Sequence, residues 1–256
     1  MTRPVLLEIC VDTAEGLEIA ARHGADRIEL CASLGIGGLT PSLGMMRLSA
    51  AINRPTRVMI RPRQGDFTYS PAELEMMRHD IDAVAETGLE GVVLGANTET
   101  GELDAAALAE LTAHAKAAGL KVTLHRSFDL VPDPLAALAL ARRLEIDSIL
   151  TSGCAQSAIE GTQVIARLVE AVRTEPGNPI EIMAGVGVSH RTVGEILRRT
   201  HVTAVHGSCS RVAAQPDNDA VRFGFAVPGH RRTDVTLVTQ LRLALAQTPD
   251  WAVGAK

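Results

Sequence analysis

Aromatic side chains are nearly missing from this chain: four Phe, one Tyr and one Trp make up 2% of its 256 residues. So few rings argue against base-stacking platforms for single strands and against aromatic belts at a membrane. Lysine is scarcer still, with only Lys116, Lys121 and Lys256 beside 22 Arg. None of the three stands at the C-terminal end of a strand-like run, which argues against Schiff-base chemistry. The arginines are scattered and the net charge is -5, so no clustered positive face for nucleic acid is expected. There is no CxxC pair. Cys10, Cys31, Cys154 and Cys209 lie far apart in a chain long enough to fold without disulfide staples, and they read as reduced thiols. No apolar run reaches the roughly 18 residues of a membrane span, and Glu8 interrupts the only N-terminal one, so a cytoplasmic protein without membrane contact is expected. No GxGxxG follows the first strand, which weakens a dinucleotide-binding reading.

What is present is a repeat of strand-like runs, each followed by a helix-like segment. The runs are VLLEICV (5–11), DRIELC (26–31), TRVMIRP (56–62), EGVVLGA (90–96), LKVTLHR (120–126), IDSILTS (146–152), IEIMAG (180–185) and VTAVHGS (202–208). Between them stand helix-start signals: Thr40-Pro41, Ser70-Pro71 with Glu73, Asp133-Pro134, and Asp12 with Glu15 as a capping box. Gly24, Gly88 and Gly119 suit helix ends. Eight such units in about 250 residues predict a single-domain α/β fold, a (β/α)8 TIM barrel spanning 1–256. Residues 211–233 break the rhythm and read as a long loop before a final helix that starts near Asp234 and ends before Pro249.

Strand alternation then sorts the side chains, because the face covered by helices must be apolar. Leu7, Ile9 and Val11 face outward, which turns Glu8 and Cys10 inward; the same reasoning turns Glu29, Cys31, Arg57, Met59, Arg61, Thr123, His125, Met183 and His206 inward. Buried charges are costly unless paired. Glu8, Glu29, Arg61 and His125 are therefore read as one mutually satisfying cluster at the top of the barrel, the alternative being an ion-pair layer that only sets barrel register. His125 is the candidate general acid or base. Cys10 and Cys31 repeat in Glu-x-Cys on adjacent strands, so two inward thiols could share a soft ion such as Cu(I), or could pack as small hydrophobes. Asp129 either orients a ligand or caps the next helix. Ser152-Gly153, Gly185 with Gly187, and Gly207-Ser208 form glycine-rich turns whose amides could cradle a phosphate or other anion.

The strings EICVDTAEGLEIAARHGADRIELCASLGIGGLTPSLG, VMIRPRQGDFTYS, TLHRSFD and LTSGCAQSAIEG resemble the CutC family, described as copper homeostasis proteins, over about residues 5 to 210. The resemblance implies a cytoplasmic (β/α)8 barrel in which Cys10 and Cys31 match the family cysteines proposed to bind Cu(I). Glu8, Glu29, Arg61, His125, Arg126 and Asp129 fall within shared motifs. AGVGVS departs from the three-glycine stretch common in the family, with Val186 in its middle. Two functions are thus expected: a copper-binding barrel, or a lyase, isomerase or aldolase-like enzyme for a small anionic or phosphorylated metabolite. In the second, Arg61 would meet the anion, Glu8 or Glu29 would act as base and His125 would move the proton. A homo-oligomer is expected because barrel helices often pair subunits.

Overall fold

The computed structural model describes residues 5–213, 218–225 and 228–247. Eight parallel strands close into a barrel: β1 (Leu6–Val11), β2 (Arg27–Leu30), β3 (Thr56–Met59), β4 (Gly91–Leu94), β5 (Lys121–Leu124), β6 (Ser148–Thr151), β7 (Glu181–Ala184) and β8 (Ala204–Gly207). β8 pairs with β1, so no edge is left open. Seven helices cross between the strands: α1 (Ala14–His23), α2 (Leu43–Ile52), α3 (Pro71–Thr87), α4 (Ala105–Ala117), α5 (Pro134–Arg143), α6 (Thr162–Thr174) and α7 (Val193–Thr200). The single-domain barrel read from the sequence is therefore the fold.

Local signals act mostly where expected. Ser70 and Glu73 form a reciprocal capping box with Pro71 in the first turn of α3, and the Asp133 carboxylate accepts from Leu135 and Ala136 amides at the start of α5. Gly24 and Gly88 follow α1 and α3 with positive φ, at 131° and 72°. Two starts differ. Thr13 rather than Asp12 caps α1, which frees Asp12 to accept from the Leu34 amide; and α2 begins after Ser42, two residues past Thr40.

The segment expected as a loop over 211–233 carries structure of its own. β9 (Ser210–Val212) and β10 (Arg231–Thr233) form an antiparallel pair, with a short helix α8 (Asn218–Arg222) between them; residues 214–217 and 226–227 lie outside the described residues. The pair is tied down where it meets the barrel, since the Asp234 amide donates to the Cys209 carbonyl and Arg211 ion-pairs with Asp234. The last helix, α9 (Val235–Ala246), then packs against α1 and α7.

Side chains alternate along the strands as the apolar pattern predicts. Leu7, Ile9, Val11, Ile28, Leu30, Val58, Val122 and Leu124 are fully buried in the core between barrel and helices. Their strand neighbours fill the interior, which is unusually polar in its lower half. Arg27 pairs with Glu8 and with Glu181, while Arg57 bonds Thr123, Ser148 and Glu90. Each of these two buried guanidinium groups thus has a carboxylate partner, as low dielectric requires.

Candidate functional site

Above that belt, at the C-terminal ends of the strands, opens a cavity of about 750 Å3. This is the end where barrels of this kind gather catalytic and binding residues. Cys10 of β1, Glu29 of β2 and His206 of β8 meet on its floor. Register explains why: Cys10 is the Cα partner of Glu29, and Glu8, two residues earlier, is the partner of His206. The Cys10 sulfur, a Glu29 oxygen and a His206 ring nitrogen lie within 4.8 Å of one another.

The charges in this corner are unequal. Burial opposes ionisation of Glu8, yet Arg27 and His206 draw its pKa down to about 2. Burial would also strip the proton from His206, but the carboxylate of Glu29, with Cys10 and Glu8, holds it well above the ordinary imidazole value. Burial pushes Glu29 and Cys10 up, toward their neutral forms. His206 Nδ1 faces Glu8 Oε1 at 2.8 Å and His206 Nε2 faces Glu29 Oε2 at 3.8 Å. A carboxylate on the far ring nitrogen fixes the orientation of the ring and leaves Nε2 directed at the corner, the arrangement that orients metal-binding histidines.

The four charged residues read as one cluster are divided by the structure. Glu8 belongs to the lower belt and supports His206. Glu29 belongs to the corner. Arg61 lies just past β3 and donates to the carbonyls of Ile36, Gly38 and Gly65, with no carboxylate partner among the described residues. His125, just past β5, accepts the Ser127 amide on Nδ1, and burial beside Arg61 lowers its pKa to about 3. The ion-pair layer and the upper polar site, alternatives on sequence grounds, therefore both exist, one over the other. Sequence reasoning misses Arg27, Glu181 and the role of His206; Arg27 shares the parity of Glu29 and is legible on that ground.

The two cysteines are not equivalent. Cys10 lines the cavity, whereas Cys31 is fully buried with Met59 and Val93 and donates to Glu29 Oε2 at 3.5 Å. Burial, then Glu29 and Cys10, raise the Cys31 thiol well above its usual value. Cys209, which drew no metal assignment from the sequence, also lines the cavity.

Of the glycine-rich turns, the one after β6 is already filled. Asp129 accepts from the Ser152 amide and hydroxyl and from the Cys154 amide, while the Gly153 amide donates to Thr151 Oγ1. An internal carboxylate thus occupies the place proposed for an external anion at Ser152-Gly153; Asp129 does not cap α5, which Asp133 does, and it lines the cavity. The Gly185 amide donates to the Thr151 carbonyl. Gly187, Gly207 and Ser208 do line the cavity, and Val186 beside them holds a left-handed φ of 71°, which is strained for a β-branched residue.

Fold and site together define an eight-stranded barrel with a thiol, carboxyl and imidazole corner at its mouth. The CutC family model matches residues 5–211, and the chain belongs to that family. It is 47% identical over 243 residues to a CutC family protein of Sinorhizobium medicae, covering 94% of this chain and 96% of the relative. It is 43% identical to the human copper homeostasis protein cutC homolog, covering 92% and 87%. A crystal structure of a CutC protein from Streptococcus agalactiae superposes with a TM-score of 0.73 at 31% identity, covering 80% of this chain and 98% of that one. No helix among the described residues is long and apolar enough to cross a membrane.

Proposed function

We propose that this barrel binds a copper ion as cargo at its mouth, through the Cys10 thiolate and His206 Nε2, with Glu29 beside them. The observation that carries the reading is the convergence of those three donor atoms within 4.8 Å, backed by the Glu8 carboxylate on the opposite ring nitrogen. Soft thiolate with imidazole suits Cu(I), and the buried Glu29 Oε1 has no hydrogen-bond partner among the described residues, so the corner has capacity to spare. The copper-related name of the human relative agrees with this role. Cys31 donates to the same Glu29 oxygen that His206 Nε2 faces and supports the site through that contact, joining the ion only if the contact opens. We place the protein in the cytoplasm, where thiols remain reduced and copper is monovalent. Binding displaces the proton that burial favours on the Cys10 thiol and the one held on His206, so affinity rises with pH.

Titration with Cu(I) under reducing conditions, against a chelator of known affinity, tests this. One ion per chain is expected for wild type, with loss of at least tenfold in affinity for Cys10→Ser and for His206→Ala and a smaller loss for Cys31→Ser. Unchanged binding by Cys10→Ser and His206→Ala overturns the assignment.

A further inference from the structure

One ion leaves most of a 750 Å3 cavity unused, and that volume is in the range of sites that enclose a small organic molecule. The wall opposite β7 and β8 has a specific defect. Arg27 and Arg57, the other two arginines inside the barrel, each meet a carboxylate. Arg61 is equally buried, at 6% exposure, and its partners among the described residues are all neutral: it donates to the carbonyls of Ile36, Gly38 and Gly65, lies near the Tyr69 hydroxyl, and covers the face of Phe67, 4.9 Å from its guanidinium carbon. Its Nε has no partner among the described residues. A buried cation without a counter-charge is costly, and a bound anion removes that cost.

His125 stands on the same Phe67 ring, with centroids 4.8 Å apart, and is 4% exposed. Because its Nδ1 accepts the Ser127 amide, the neutral ring carries its hydrogen on Nε2, and that buried atom also lacks a partner among the described residues. Both residues line the cavity. Two orphaned donors, one of them on a full positive charge, therefore flank one aromatic ring. Across the barrel, the amides of Gly187, Val188, Ser208 and Cys209 have no hydrogen-bond partner among the described residues, and all four residues line the same cavity. Arg231, carried there by β10, adds a second guanidinium whose side-chain partner is the Ser210 hydroxyl.

We propose that the cavity binds a small organic dianion, its carboxylate on Arg61 and His125 and its second oxyanion on the β7 and β8 turns with Arg231. This goes beyond the copper reading and does not depend on it. A carboxylate fits the first position because it can accept from a guanidinium and a neutral imidazole N–H at once. The second position offers several amides in two adjacent turns, which suits a phosphate or another carboxylate.

The test is calorimetric titration of the full chain at pH 7 with a copper chelator present, so that failure of the copper reading cannot affect it. The probes are the linear dicarboxylates from malonate to adipate and phosphoglycolate, with inorganic phosphate and glycerol as comparisons. At least one dianion is expected to bind with a submillimolar Kd and tenfold or more tighter than inorganic phosphate, glycerol giving no heat. Arg61→Met is expected to weaken that binding about ten- to a hundredfold, as loss of a charged hydrogen-bond partner does. Arg61→Lys retains part of it, and Arg173→Met, on the exposed face of α6, leaves it unchanged. Should Arg61→Met fail to fold, His125→Phe carries the test, with about a three- to tenfold loss expected. Absence of binding by every dianion, or equal binding by the wild type and a folded Arg61→Met or His125→Phe, overturns the proposal.

Discussion

His125 and His206 are the same side chain in two opposite environments, and their titration should show it. Burial and the nearby Arg61 hold His125 down at about 3, whereas Glu29, Cys10 and Glu8 outweigh burial at His206 and hold it well above the ordinary value. The unfolded chain protonates both near pH 6.5. Below that pH the unfolded state gains a proton at position 125 that the folded state refuses, so His125 costs stability progressively as pH falls from 6.5 toward 3. His206 acts the other way: its contribution is fully present below pH 6.5 and is lost as pH rises through its folded value. Glu8 contributes above its ordinary value and loses that contribution only as pH falls toward about 2. In urea melts at pH 7, 6 and 5, His125→Gln is therefore expected to lose stability less steeply than wild type, by up to about 1.4 kcal/mol per pH unit. Parallel slopes for the two proteins would show that His125 takes up its proton as readily in the folded state as in the unfolded one.

At the scale of elements, the strands were legible and the turns that finish the site were not. Strand alternation identifies Cys10, Glu29 and His125 because a two-residue period is local, and the fixed register of adjacent strands then brings Cys10 beside Glu29. The turn after β6 is different. Its shape depends on Asp129, more than 20 residues earlier, and on which acceptors its amides find across the barrel mouth; Ser152-Gly153 alone looks like any anion-binding turn. The β9–β10 pair is likewise set by contacts to Asp234 and α1, so the local sequence of 211–233 shows only its polarity. This gives the Asp129 turn a measurable signature. Asp129→Ala leaves the Thr151 hydroxyl and the Ser152 amide, both on fully buried residues, without their acceptor, and unmet buried donors cost about 1–3 kcal/mol each. A loss of about 2–4 kcal/mol is expected, with faster amide hydrogen exchange confined to residues 152–154. A stability equal to wild type would mean that water or a bound anion can replace the carboxylate there.

For the whole molecule, the decisive residue is Glu8, because it joins the belt that holds the barrel to the corner that would hold the ion. One oxygen takes Arg27 and the other takes His206, and the side chain is fully buried. Removing Arg27 leaves the Glu8 carboxylate in the core with His206 as its remaining partner, and breaking a buried pair in this way usually costs about 3–5 kcal/mol. Arg27→Met is expected to lower the urea midpoint accordingly, with little change in its slope. Adding Glu8→Gln to that variant removes the stranded charge and should restore part of the stability, since a neutral amide tolerates the apolar neighbour better than an ion does. Copper affinity should not recover with it. The amide oxygen introduced by Glu8→Gln can still accept a hydrogen bond from His206 Nδ1, but without the negative charge it makes the ring a poorer donor to the ion. Loss of such a supporting carboxylate costs about 10–100-fold in affinity. Stability and binding would then separate in one pair of variants. A double variant that regains stability and also binds Cu(I) as wild type does would assign Glu8 to the barrel alone.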